Sequence, residues 1–173
     1  MPKPNVPALK MLAARMSGLP SHAASGDPDG PAVYMCAWIE HDHQRPGCGT
    51  VGCIAGHAVA LADGHEAASR LAAEGGVSDI PRRAQAVLGL HDPEANFQGN
   101  YSGRLDRVAH ALFYPPGARS EEPRIREILD AIDGDDCARV LLHIADNPDT
   151  VTADSVRLLW QDVEDIRRDA LYG

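Results

Sequence analysis

Residues 48–57 read CGTVGCIAGH, which sets two cysteines, three glycines and a histidine within ten positions. If Thr50 caps a helix running from Val51 to Ala62, the Cys53 thiol falls in the first turn. There it lies near unsatisfied backbone amides and the positive end of the helix dipole, a setting that favours thiolate. His57 follows one turn later on the same face, with Cβ atoms roughly 5 to 6 Å apart. Two chemistries are open to such a pair. One is a cysteine-dependent hydrolase with Cys53 as nucleophile and His57 or a distant histidine as its base. The other is a zinc-stabilised helical domain of tetrahedral type, in which Cys48 joins Cys53 and His57 as ligands and His41 and His43 of the preceding loop are further candidates. The CxxxxC gap is wider than the CxxC pair usual in zinc modules.

A third reading packs these residues instead of using them. Gly52, Gly56 and Ala60 recur every four positions with Ala55 and Ala58 between them, so one helix presents a nearly bare surface that another backbone can approach closely. Cysteine in such a place behaves as a small apolar group. This reading accounts for more of the residues, and it leads to a non-enzymatic protein-binding or regulatory domain built around a tightly packed Cys/Gly-rich central helix, with no cofactor required. A Cys48–Cys53 disulfide is geometrically open but disfavoured under cytosolic redox conditions. Cys36 and Cys137 lie in apolar contexts, and Trp38 and Trp160 read as core anchors. His22, His65 and His91 read as surface histidines; His110 and His143, among Asp106, Arg107, Arg139 and Asp146, read as lying on outward faces.

The elements that must position the stretch are mostly helical. Asn5 caps a first helix over 6–17, with Pro7 in its first turn, an apolar stripe of Leu9, Leu12, Ala13 and Met16, and Gly18 at its end. AVYMCAWI, residues 32–39, has the length and bulk of a buried strand, and either a short β-hairpin or an irregular buried segment accommodates it. Further helices are expected over 66–74, from Ser78 to Gly89, and around Leu105–Leu112, the last ending before Pro115-Pro116. HDPEANF makes one turn with Asp92 as cap. Ile125, Ile128, Leu129 and Ile132 share one helix face, and Val140, Leu141, Ile144 and Ala145 share another. The short Gly134 link predicts that these two helices pair antiparallel. The last helix, 152–171, lines Val156, Leu159, Trp160, Val163, Ile166 and Ala170 along a face that must be covered.

The chain of 173 residues and 44% apolar content fits one mainly α, compact multi-helix domain over 1–173. A formal net charge of −9, from 25 acidic against 16 basic residues, makes nucleic acid an unfavourable partner over most of the surface. No apolar run is long enough for a membrane span and the N-terminus lacks a signal-peptide pattern, so the expected partner is another protein and the expected location cytoplasmic.

The string CGTVGCIAGHA, preceded by YMCAW and followed by VLGL and then LFYP, resembles a family of small uncharacterised proteins from bacteria and their phages. The shared pattern is CGTxxCxxGxA joined to LGL and LF, and it covers Tyr34 to Pro115. The resemblance implies no activity, cofactor or substrate. In that family a tryptophan often stands where this chain has His57, which implies that the histidine is not an obligatory ligand or base.

Overall fold

Asn5 opens the first helix, α1 (Val6–Met16), by accepting the Ala8 amide on its side chain at 3.3 Å. The same residue stitches the N-terminus to a distant helix end: its backbone N–H donates to the Leu88 carbonyl at 2.8 Å and its side-chain amide to the Val87 carbonyl at 3.1 Å. Gly89 turns the chain at that point with φ of +62°, and a Cβ there would come within 2.6 Å of the Asn5 nitrogen. Only glycine meets both demands.

The computed structural model describes residues 2–26, 31–35, 51–75, 79–92 and 103–173. Among these, eight α-helices carry nearly all the regular structure: α1, α2 (Ile54–Asp63), α3 (His65–Glu74), α4 (Asp79–Leu88), α5 (Arg104–Phe113), α6 (Pro123–Asp130), α7 (Gly134–Asp146) and α8 (Ala153–Tyr172). The mainly helical class read from periodicity is what folds. A 3₁₀ turn at Pro116–Arg119 begins on the second residue of the double proline, before which α5 ends as expected.

Among the described residues the β structure is not a hairpin. β1 (Ala32–Val33) pairs with β2 (Val51–Gly52) in parallel, and two parallel strands cannot be joined by a tight turn. Residues 36–39 of the expected strand lie outside the described residues. The second helix also starts later than Val51: residues 51–52 are engaged in the strand pair, and Cys53, with extended backbone, takes the N-cap position before Ile54. Thr50, expected as the cap, lies outside the described residues, as does Ser78.

The stripe Leu9, Leu12, Ala13 and Met16 is buried, and the chief neighbour of α1 is α7. Their junction is tightly specified. Asp135 accepts the Ser17 hydroxyl at 2.7 Å and the Gly18 amide at 3.0 Å, which holds its carboxyl below the ordinary carboxylate value. The Gly134 amide donates to the Leu19 carbonyl at 2.9 Å. Gly134 is therefore the first residue of α7, capped by Asp133, and not a link between paired helices; α6 packs on α8 and the 3₁₀ turn instead. Arg167 of α8 closes the junction, donating to Asp136 at 2.7 Å and to Asp133.

α8 begins with a reciprocal cap between Thr152 and Ser155. Val156, Trp160 and Val163 are buried as the stripe requires, whereas Ile166 and Ala170 stand exposed, so the expected cover stops short of the helix end. A Cβ on Gly134 would sit 1.8 Å from the Met16 carbonyl oxygen, whereas one on Gly26 meets nothing within 4 Å. Gly134→Ala is expected to cost about 2 kcal/mol or more by chemical denaturation, and Gly26→Ala well under 1; equal midpoints for the two variants would contradict this account of the α1–α7 junction.

Candidate functional site

Every residue of α2 from Ile54 to Ala60 is buried, which places the described end of the Cys/Gly-rich stretch, from Cys53 on, inside the molecule against α1, α3, α4 and α5. Two opposing effects act on the Cys53 thiol. The amides of Ala55 and Gly56 favour thiolate, as a helix N-terminus should, but burial outweighs them and pushes the thiol up to about 11. Cys53 is a neutral thiol at physiological pH. A nucleophile needs the opposite balance and access to substrate.

His57 is fully buried, and its Nε2 lies 3.0 Å from the Ala32 carbonyl of β1. A carbonyl only accepts, so the ring proton is on Nε2 and Nδ1 carries a lone pair, buried with no hydrogen-bond partner. Burial pulls the imidazole down to about 4, against the Ala32 carbonyl, which favours the charged form; Arg15 and His65 depress it further. The side chain thus pins β1 onto α2 as a neutral donor.

Of the five residues read as zinc ligands, Cys48, His41 and His43 lie outside the described residues. The two that are described are poorly suited: one is a buried neutral thiol, and the other has one ring nitrogen committed to a backbone carbonyl. Among the described residues, no group of three or more His, Cys, Asp or Glu converges in a way that holds a metal. Cys137 packs its sulfur 4.0 Å from that of Met35, and burial raises its thiol well above the ordinary value, as befits a core residue. Cys36 and Trp38 are outside the described residues; Trp160 is fully buried.

One polar pair escaped the sequence reading. Asp106, expected on an outward face, is buried in the first turn of α5, where Oδ1 lies 3.1 Å from Nδ1 of the half-buried His91. Its Oδ2 is buried with no hydrogen-bond partner. Asp92 faces the same turn and accepts the Leu105 amide at 3.1 Å, so it caps α5; the turn expected of HDPEANF lies, from Pro93 on, outside the described residues. Apolar Leu105, Val108 and Ala109 all face inward, and Asp106 shares that arc, which was the available signal. His143 places Nε2 3.3 Å from the Ser155 hydroxyl, but that hydroxyl donates to the Thr152 carbonyl at 2.9 Å and belongs to the α8 cap.

The outer surface of α7 and α8 is the other place where the chain departs from simple packing. The contacts Asp136–Arg167, Arg139–Asp162 and His143–Ser155 run in opposite directions along the two helices, so they lie antiparallel. Leu158 is 61% exposed, Ile166 53% and Leu142 40%. Leu158 and Ile166 stand two turns apart on one face of α8, and Leu142 follows Arg139 by one turn on α7.

Comparison with protein-family models, with curated proteins and with solved structures finds no match. No helix among the described residues is long and apolar enough to cross a membrane.

Two measurements test the assigned states. Cys53 in the folded protein should resist alkylation at neutral pH and react only on unfolding; rapid labelling of Cys53 under native conditions would overturn its burial as a neutral thiol. For His57 the folded value lies below the unfolded one, so the unfolded chain binds the proton first and stability falls as pH drops from 6.5 towards 4. The loss from this group is on the order of 2 to 3 kcal/mol. Denaturant unfolding across that window should show His57→Gln with a correspondingly flatter pH dependence, and an unchanged slope would remove the assignment.

Proposed function

We propose that this chain works by binding a protein, with the outer surface of α7 and α8 as the docking face and the buried Cys/Gly-rich helix as the scaffold behind it. The observation that carries the reading is the exposure of Leu142, Leu158 and Ile166 on two adjoining helices whose inner faces are otherwise buried. The expected stripe of α8 continues past the point where the rest of the domain covers it, leaving apolar surface beside charges that can give a contact its register. The state of Cys53 and His57 supports the same reading from the other side. The Cys53 thiol is buried and protonated and the His57 imidazole is committed to holding β1, so these two groups serve the fold.

A photo-reactive residue introduced at 158 or 166, in cells producing the chain, should yield discrete adducts of defined mass; one introduced at exposed Glu66 on α3 should not. Absence of adducts from both 158 and 166, or the same pattern from 66, would end the proposal that this face docks a protein.

A further inference from the structure

We draw no further inference here: the strongest candidate, the pair of half-buried His91 and buried Asp106 where the chain leaving α4 meets the first turn of α5, forms no group with a third side chain that could hold a metal among the described residues, and nothing in the structure shows what the unpartnered Oδ2 of Asp106 would take.

Discussion

The complete burial of Ile54–Ala60, the first seven residues of α2, is the constraint on which the rest depends. A helix of Ile, Ala, Gly, His, Val and Ala with no exposed side over seven residues must be surrounded, and α1, α3, α4 and α5 supply that surround. Its small side chains let the neighbours come close, and the price of such a centre is that any polar group inside it needs a partner. His57 finds one in the Ala32 carbonyl, so a two-residue strand becomes part of the core's accounting. Cys53 stays a thiol, because the low-polarity surroundings outweigh the helix-end amides that would ionise it.

A second organising point lies away from that centre. The start of α7 gathers the end of α1, through Asp135 and Gly134, and the last third of α8, through Arg167. Close backbone approach at Gly134 and multiple charge-assisted contacts within four residues fix the angle at which α7 leaves. That angle lays α7 and α8 side by side with Leu142, Leu158 and Ile166 facing out. The exposed face is thus a consequence of how the two helices are anchored as well as of their composition.

The polar pairs show how local pattern can mislead. Asp106 and His91 look like solvated residues when each is read against its neighbours in sequence, yet they meet from 15 residues apart with the carboxylate buried. Asp92 is a cap, as its position before proline suggests, but it serves α5, thirteen residues on. Gly134 reads as a link and is the opening of a helix. In each case the residue type was suggestive, and the partner was supplied by a segment distant in sequence.

The amino-acid sequence by itself determined where most helices begin and end and which residues they turn inward. Asn5, Thr152, Gly89 and the double proline act through local backbone chemistry, and apolar spacing acts through helix geometry; both are written within a few residues of where they operate. Only the tertiary structure decided the protonation states of Cys53 and His57, the parallel pairing of Ala32–Val33 with Val51–Gly52, and how far along α8 the apolar stripe is covered. Those outcomes depend on desolvation and on backbone partners contributed by segments far apart in the chain. A thiol at a helix start has one tendency in water and the reverse when four helices close over it.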